Sequence, residues 1–253
     1  MLKIIKKFLL LTAVLTSMTM SAQTSNFEEI KTSNGSIGLK VINHASLVLN
    51  IGEQLIFVDP QGSVDRYVDL KKPTLVLITD VHPDHYDQKA LELLVDENTG
   101  FIAPPAVMEM MPENWQSRTK ALRNNQVSNS DDIQITAIPM YNFPLNPESP
   151  HPKGRGNGYV LEYDDLRIYI SGDTGPIPEM LALRNIDIAF ICMNLPYTMD
   201  IQAAASAVKK FQPKVVYPFH YRNADKSLSD VDKFCEIIGN EHVECVLRDW
   251  YAN

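Results

Sequence analysis

The chain has 253 residues, of which 45% are hydrophobic and 21% are charged, a composition typical of a globular protein with enough apolar residues for a large core. Its 11 glycines and 16 prolines follow no repeat period, which excludes a collagen-like or solenoid protein. The formal net charge is -8, and an acidic surface repels polyanions, so nucleic acid is not expected as a partner.

The N-terminal segment has the order of a secretory signal. Three lysines within the first residues precede an apolar run, residues 8–15, and small and polar residues follow up to Ala22. The apolar run is too short to cross a bilayer of ~30 Å. We therefore expect residues 1–22 to be removed and residues 23–253 to form one domain that is periplasmic or secreted, without stable membrane insertion. The alternative is an uncleaved membrane anchor.

The chain has three cysteines, an odd number that implies no disulfide framework. Cys192, Cys235 and Cys245 are expected to be buried thiols. A bridge between Cys235 and Cys245 is compatible with their spacing, but the spacing does not require one.

Short β-branched runs alternate with amphipathic segments along the rest of the chain. The predicted strands are Ile37–Ile42, Ala45–Asn50, Gln54–Val58, Thr74–Thr79, Ile133–Ile138, Gly158–Tyr163, Leu166–Ser171, Asp187–Ile191 and Lys214–Phe219. The predicted helices are Gln88–Val95, Ala106–Met111, Ile201–Phe211 and Ser229–Ile238. Two segments rich in Asn, Ser, Pro and Gly, Asn125–Asp132 and Pro144–Gly158, are predicted loops. The early part of the chain is predicted to form β-hairpins, and the later part contains both strands and helices. This pattern predicts an α/β fold of two packed sheets with outer helices.

Acidic and imidazole side chains follow four of these strands directly. Asp59 comes after one strand, and the segment Asp80–His85 comes after the next. Asp173 and His220 follow two later strands. Because active sites of layered sheets gather at the carboxyl ends of strands, we expect these residues to meet.

The segment Asp80–His85 predicts a metal site. Asp80, His82, Asp84 and His85 can all bind a metal, and a strand-to-helix turn can aim them at two neighbouring ions. Imidazole nitrogen and carboxylate oxygen suit zinc, iron and manganese.

On these residues the chain resembles the metallo-β-lactamase superfamily. The family pattern is His-x-His-x-Asp-His after a strand, with an earlier Asp, a later His, a Gly-Asp-Thr turn and a final His. The matching residues here are Asp59, Asp80, His82, Asp84, His85, His151, Asp173 and His220. The segments Asn43–Ser46, Pro196–Met199 and His220–Tyr221 are most similar to the branch of ascorbate-6-phosphate lactonase and N-acylphosphatidylethanolamine phospholipase D.

The resemblance implies an αβ/βα sandwich that holds two divalent metal ions, zinc or manganese and possibly iron. One ion would be held by His82, His151 and the residue at position 80. The other would be held by Asp84, His85 and His220, with Asp173 as the bridge and Asp59 orienting the histidines. Asp84, His151 and Asp173 would also serve catalysis.

Asp80 departs from this pattern, since the family has histidine there. A carboxylate can still coordinate, and an oxygen ligand favours manganese, iron or magnesium over zinc. The alternative is that Asp80 turns away and leaves this site weak or empty.

Two such metals predict a hydrolase, because paired ions lower the pKa of a shared water, and the resulting hydroxide attacks a carbonyl or phosphorus. The expected substrate is a small molecule with an ester-like bond: a lactone, an ester or a phosphodiester. The alternative is a non-catalytic, metal-stabilised binding protein in which the first site was lost at Asp80. The sequence does not predict an oligomeric state.

Further residues are candidates for substrate binding. His44 either lines the pocket and donates a proton or is a structural histidine. Lys153 and Arg155 either bind a phosphate or carboxylate or lie on a solvated loop. Tyr197, Tyr221 and Arg222 lie beside proposed ligands in the sequence.

Overall fold

A computed structural model describes residues 27–33, 35–239 and 241–252. The predicted signal peptide, residues 1–22, lies outside the described residues. None of the helices in the described ranges is long and apolar enough to span a membrane.

The first half of the chain forms a seven-stranded sheet whose strands follow the order of the sequence. The strands are β1 (Glu28–Thr32), β2 (Gly35–Asn43), β3 (Ser46–Ile51), β4 (Gln54–Val58), β5 (Leu75–Leu77), β6 (Gly100–Ala103) and β7 (Thr119–Ala121). The first four strands pair antiparallel, and β4 to β7 pair parallel.

The second half repeats this arrangement in a second seven-stranded sheet. Its strands are β8 (Val127–Ser130), β9 (Ile133–Met140), β10 (Gly156–Tyr163), β11 (Leu166–Ile170), β12 (Ile188–Cys192), β13 (Val215–Phe219) and β14 (Glu244–Cys245). Again the first four strands pair antiparallel and the last four parallel.

Helices lie in the connections of both halves. They are α1 (Gln88–Leu94), α2 (Pro105–Met108), α3 (Glu113–Gln116), α4 (Pro178–Leu181), α5 (Ile201–Phe211) and α6 (Val231–Ile238), with a 3-10 helix at Val64–Tyr67. An aspartate caps α1, α5 and α6, accepting a hydrogen bond from the backbone N–H three residues later: Asp87, Asp200 and Asp230. The cap at Asp230 explains why α6 begins at Val231, two residues after the predicted start.

Two apolar clusters hold the layers together. The larger contains inward residues of both sheets, such as Leu47 and Tyr159, and extends to α5 through Val208. The smaller packs the other face of the first sheet against its helices, with Phe57 and Trp115 among its members. The protein is therefore two packed mixed sheets with outer helices, as predicted.

The sequence predictions were wrong at several elements. Val127–Ser130 forms strand β8 within the predicted loop Asn125–Asp132, and β10 begins at Gly156 within the other predicted loop. The sequence of β8, VSNS, is polar because this edge strand pairs on one side only and buries little surface. The predicted helix Ala106–Met111 is the shorter α2, which ends at Met108.

The expectation of buried thiols was wrong for two cysteines, which form the bridge that their spacing left open. Cys235 and Cys245 form a disulfide that ties α6 to β14, so they are not thiols. Cys192 is a buried free thiol, as predicted.

Candidate metal centre

Metal-binding side chains from both sheets converge where β4, β5, β11 and β13 end. We divide them into two groups. The first group is Asp80, His82 and His151, and the second group is Asp84, His85, Asp173 and His220. Potential ligand atoms of Asp80, His82 and His151 lie within 4.8 Å of one another, and so do those of His85, Asp173 and His220.

The second group surrounds one point. His85 Nε2 and His220 Nε2 are 3.3 Å apart. Asp173 places Oδ2 3.4 Å from His85 Nε2 and Oδ1 3.3 Å from His220 Nε2. Asp84 Oδ2 lies 3.4 Å from His220 Nε2 and completes the set from the more exposed side. Two imidazole nitrogens and two carboxylates thus face the same small volume.

Asp173 connects the two groups. Its Oδ2 lies 3.3 Å from His151 Nε2 as well as close to His85. The turn that presents it needs glycine at 172, where φ is +57° and an added Cβ would lie 3.2 Å from Thr79 Cβ. The geometry therefore places Asp173 where a ligand shared by two ions would lie.

Asp59 fixes the orientation of His85. The carboxylate is fully buried; Oδ1 accepts a hydrogen bond from Thr79 N at 2.7 Å, and Oδ2 accepts one from Thr79 Oγ1 at 2.6 Å. His85 Nδ1 lies 2.7 Å from Asp59 Oδ2, and since a carboxylate accepts, this nitrogen carries the proton. His85 Nε2 is therefore the ring nitrogen that faces Asp173 and His220 and that would bind a metal ion.

His151 is oriented by the loop around Tyr197. Its Nδ1 is 3.2 Å from the Tyr197 carbonyl oxygen, which can only accept, so Nδ1 carries a proton and Nε2 is the nitrogen that faces Asp173 and would bind a metal ion. Asn142 holds the same two segments together: its side chain accepts from His151 N at 3.0 Å and donates to Tyr197 O at 2.7 Å.

Asp80 is paired with a cation as well as with histidine. Its Oδ2 lies 2.9 Å from His82 Nδ1 and 3.8 Å from His151 Nε2. The guanidinium of Arg155 donates to both carboxylate oxygens, at 3.1 and 2.9 Å. Asp80 thus does not turn away from the first group, and Arg155 joins that group.

His44 borders the second group on the side of the C-terminus. Its Nε2 is 3.3 Å from Asp84 Oδ2, and its ring centroid is 3.9 Å from that of His220. His44 Nδ1 is 2.9 Å from the hydroxyl of Tyr251. His44, Asp59 and His220 all have positive φ, of 55°, 43° and 48°. Such backbone conformations are costly and cluster at functional sites.

Charges within the centre shift several pKa values. Burial raises the pKa of Asp173, but the imidazoles of His220 and His85 outweigh it and hold this pKa well below its usual range. The pKa of Asp84 is lowered in the same way, burial being outweighed by hydrogen bonds from His220 and His44. Burial lowers the pKa of His85, yet Asp173 and Asp59 raise it well above its usual value.

Two further groups respond mainly to burial. Burial raises the pKa of Asp59 despite its contact with His85. Burial lowers the pKa of His44, although its hydrogen bond to Asp84 acts in the opposite direction. The lowered pKa favours the neutral imidazole.

The remaining candidates lie around this centre. Lys153 pairs with Glu179 at 2.7 Å. The guanidinium of Arg222 stacks on the ring of Tyr251, with its central carbon 4.0 Å from the centroid. Tyr221 donates to the backbone carbonyl of Arg248 at 3.3 Å rather than facing the ligands.

Sequence reasoning missed Tyr251 and Thr79. Tyr251 lies near the C-terminus outside every motif, and nothing in its neighbours indicates a contact with His44. Thr79 directly precedes Asp80 at the end of the predicted strand Thr74–Thr79, and this position was a usable signal.

The donor set fits divalent metal ions. Asp173 Oδ1 is buried and has no hydrogen-bond partner among the residues that the structure describes. Buried polar atoms are normally paired, so such an atom beside two imidazole nitrogens is suited to coordinate a divalent cation.

Comparisons with known proteins agree with this geometry. A family model described as a beta-lactamase superfamily domain matches residues 38–220. A UPF0173 metal-dependent hydrolase from Thermococcus onnurineus is 25% identical over 220 residues, which cover 84% of this chain and 96% of that protein.

Solved structures are also similar. One from Parabacteroides distasonis, described as a candidate metal-dependent hydrolase, has a TM-score of 0.78 and 33% identity, covering 88% of this chain and 98% of that one. A metallo hydrolase from Ignicoccus hospitalis has a TM-score of 0.71 and 20% identity, covering 84% of this chain and 94% of that one, and supports the fold alone.

Proposed function

Since the chain belongs to the metallo-β-lactamase superfamily of metal-dependent hydrolases, we propose that it hydrolyses a carboxylic ester or lactone of a small molecule with two divalent metal ions. The observation that carries this proposal is the position of Asp173 between His85 and His151, with Oδ2 3.4 and 3.3 Å from their Nε2 atoms. One carboxylate between two sets of ligands is suited to be shared by a pair of ions. We also propose, from the sequence resemblance alone, that the chain belongs to the branch of ascorbate-6-phosphate lactonase and N-acylphosphatidylethanolamine phospholipase D.

The second group, with Asp173 shared, would hold one ion, and the first group with Asp173 would hold the other. When bound, divalent ions supply an activated water and polarise the bond to be cleaved. The protein residues prepare this chemistry: Asp59 and the Tyr197 carbonyl keep the protons of His85 and His151 on Nδ1, away from the ligand atoms.

We propose that His44 donates a hydrogen bond from Nε2 to the leaving group and so stabilises the negative charge that develops there. It is partly buried at the border of the second group, and Asp84, its hydrogen-bond partner, has a side chain 39% exposed. A substrate that reaches Asp84 therefore also reaches His44. Its ring contacts that of His220, so His44 lies directly beside the ligands of the second group.

The charges near the first group favour an uncharged substrate over a phosphodiester. The two cations that follow His151 are already neutralised, Lys153 by Glu179 and Arg155 by Asp80. A phosphate would have to displace one of these carboxylates. A neutral ester or lactone meets no such competition.

An apolar rim beside His151 suits a substrate with an apolar part. Phe143, Leu145, Leu195 and Tyr197 are exposed large side chains on two loops. Asn142 joins these loops by its hydrogen bonds to His151 and Tyr197. Exposed apolar groups gathered at a candidate site indicate a binding surface for an apolar group.

We also propose that the protein is exported to the periplasm or secreted, after removal of residues 1–22. The Cys235–Cys245 disulfide supports this, because such bonds persist in oxidising compartments and are rare in the cytosol of most organisms.

Hydrolysis by the metal-loaded chain tests the proposed function. The protein is stripped with a chelator, reloaded with Zn²⁺, Mn²⁺ or Fe²⁺, and assayed with p-nitrophenyl esters of short and long acyl chains, alkyl-substituted lactones and bis(p-nitrophenyl) phosphate. We expect metal-dependent turnover of esters or lactones, increasing with the apolar chain and exceeding that of the phosphodiester. His220→Ala should lower turnover by more than about 100-fold, whereas His242→Ala, which changes an exposed histidine, should not.

Two results would contradict this proposal. Preferred cleavage of the phosphodiester would overturn the substrate class. Tight metal binding without turnover of any substrate would favour the non-catalytic, metal-stabilised binding protein.

A further inference from the structure

Arg155 is held against the first group by a two-pronged ion pair. Its Nε donates to Asp80 Oδ1 at 3.1 Å, and one terminal nitrogen donates to Asp80 Oδ2 at 2.9 Å. The Asp80 side chain is fully buried, and that of Arg155 is 24% exposed. This fork geometry is the strongest arrangement that a guanidinium forms with a carboxylate.

The same guanidinium reaches the other members of the first group. The terminal nitrogen that binds Asp80 lies 3.4 Å from His82 Nε2 and also donates to the carbonyl of Pro150, the residue before His151. Arg155 therefore contacts Asp80 and His82 directly and reaches the segment of His151 through Pro150.

Arg155 directly precedes strand β10, whose backbone is held close to the segment that presents Asp80. The next residue, Gly156, begins β10, and an added Cβ there would lie 2.9 Å from Thr79 O and 3.2 Å from Asp80 Oδ1. Asn157 N donates to Thr79 O at 2.9 Å. The backbone of β10 is thus pressed against the end of the segment that presents Asp80.

The two groups consequently differ in charge. The negative charge of Asp80 is balanced by the positive charge of Arg155. The pair therefore has no net charge, like the neutral histidine that the family pattern has at position 80. The second group contains Asp84 and Asp173, and within the described ranges neither forms an ion pair with Lys or Arg. Both ions would share Asp173, but an ion at the second group also faces the carboxylate of Asp84, which has no such cationic partner, whereas an ion at the first group faces a carboxylate, Asp80, that is already paired with a fixed cation.

We propose that Arg155 is a resident cation of the first group and makes the two metal sites unequal: one ion binds tightly at the second group, and the ion at the first group binds against the guanidinium. This inference rests on the proposed function, since it assumes that both groups bind metal. It assigns Arg155 a role in setting metal stoichiometry rather than in binding a phosphate or carboxylate of the substrate.

Metal titration of three variants tests the inference. Metal-free wild type, Arg155→Gln, Arg155→Lys and Arg184→Gln are titrated with Zn²⁺ and with Mn²⁺ by calorimetry, and bound metal is counted by elemental analysis. Arg184 is the matched control because it is exposed and its guanidinium donates only to the backbone carbonyls of Leu181 and Leu183, among the contacts of the described residues. Circular dichroism and thermal unfolding check that each variant is folded.

We expect wild type to bind a first ion tightly and a second roughly tenfold or more weakly. Arg155→Gln should tighten the second ion by about tenfold or more and leave the first unchanged. Arg155→Lys keeps the charge and should resemble wild type, as should Arg184→Gln.

If Arg155→Gln binds the second ion with unchanged or lower affinity than wild type, the inference is overturned. The guanidinium would then either have no effect on metal affinity or be required to orient Asp80. If Arg155→Gln is not folded, a tighter second ion in the charge-preserving Arg155→Lys would overturn it equally. Both results leave the proposed function intact, whereas wild type that binds no ion overturns both proposals.

Discussion

His44 and Tyr251 are hydrogen-bonded, with Nδ1 and the phenolic oxygen 2.9 Å apart, although 207 residues separate them. The Tyr251 hydroxyl also accepts the backbone N–H of Arg222 at 3.0 Å. Its one proton is therefore directed to His44 Nδ1, and the proton of His44 then lies on Nε2, which faces Asp84 at 3.3 Å. The C-terminal segment thus selects the tautomer of a histidine at the candidate site.

Tyr251→Phe should slow turnover while metal binding stays unchanged. Losing one hydrogen bond of this kind costs ~0.5–1.5 kcal/mol, so we expect kcat to fall by roughly twofold to tenfold. KM should change little, and the pH profile of kcat should shift because His44 loses the partner that fixes its tautomer.

The matched control is Tyr163→Phe, which removes a hydroxyl from β10 far along the strand from Gly156. Equal kcat values and identical pH profiles for Tyr251→Phe and wild type would show that His44 needs no positioning by Tyr251.

Asp59→Asn should weaken the ion at the second group. The amide lacks the negative charge that accepts the hydrogen bond from His85 Nδ1, 2.7 Å from Asp59 Oδ2. It also disturbs the hydrogen bonds that Asp59 accepts from Thr79. Changes to such supporting residues typically cost ~10–100-fold in metal affinity. Calorimetric titration measures the effect, and Asp69→Asn, an exposed partner of Lys40, is the control. Equal affinities for the two variants would contradict the role of Asp59.

The sequence predicted those site residues that directly follow strands. Asp59, Asp173 and His220 come after β4, β11 and β13, whose β-branched, apolar sequences are legible locally. Strand order then brings these ends together, since both sheets have the same succession of antiparallel and parallel pairs.

The long-range contacts that orient the site residues could not be predicted from the sequence. Arg155 and Asp80 are 75 positions apart, and their pairing depends on β10 packing against the end of β5. Tyr251 reaches His44 only because the C-terminus returns to the first sheet, where His44 N donates to Trp250 O at 3.3 Å. Periodicity and local motifs carry no information on such long-range approaches.

Metal should stabilise the protein more at high pH than at low pH. In the metal-free protein, the carboxylates of Asp173 and Asp59 raise the pKa of His85 above its unfolded value. A raised histidine pKa contributes stability that is complete below the unfolded value of about 6.5 and is lost as pH rises through the folded value. Metal ions instead require the unprotonated imidazole, so their affinity rises with pH.

The measurement is the difference in Tm between metal-loaded and chelator-treated protein from about pH 6 to about pH 8.5. We expect this difference to grow with pH in wild type and to be smaller at every pH in His85→Ala. A difference that shrinks as pH rises would contradict the assignment of His85 as a ligand.

Thiol counting should distinguish the three cysteines. Burial raises the pKa of Cys192 to about 12, so its thiol is protonated and shielded in the folded protein. Because Cys235 and Cys245 form a disulfide, 5,5′-dithiobis(2-nitrobenzoic acid) should find no thiol in the folded chain, one after unfolding, and three after unfolding with reduction. Cys192→Ser should remove the single thiol that unfolding exposes, while Cys235→Ser should add one, from Cys245. Three thiols in unfolded, unreduced protein recovered from an exported fraction would contradict both the disulfide and the oxidising compartment that it supports.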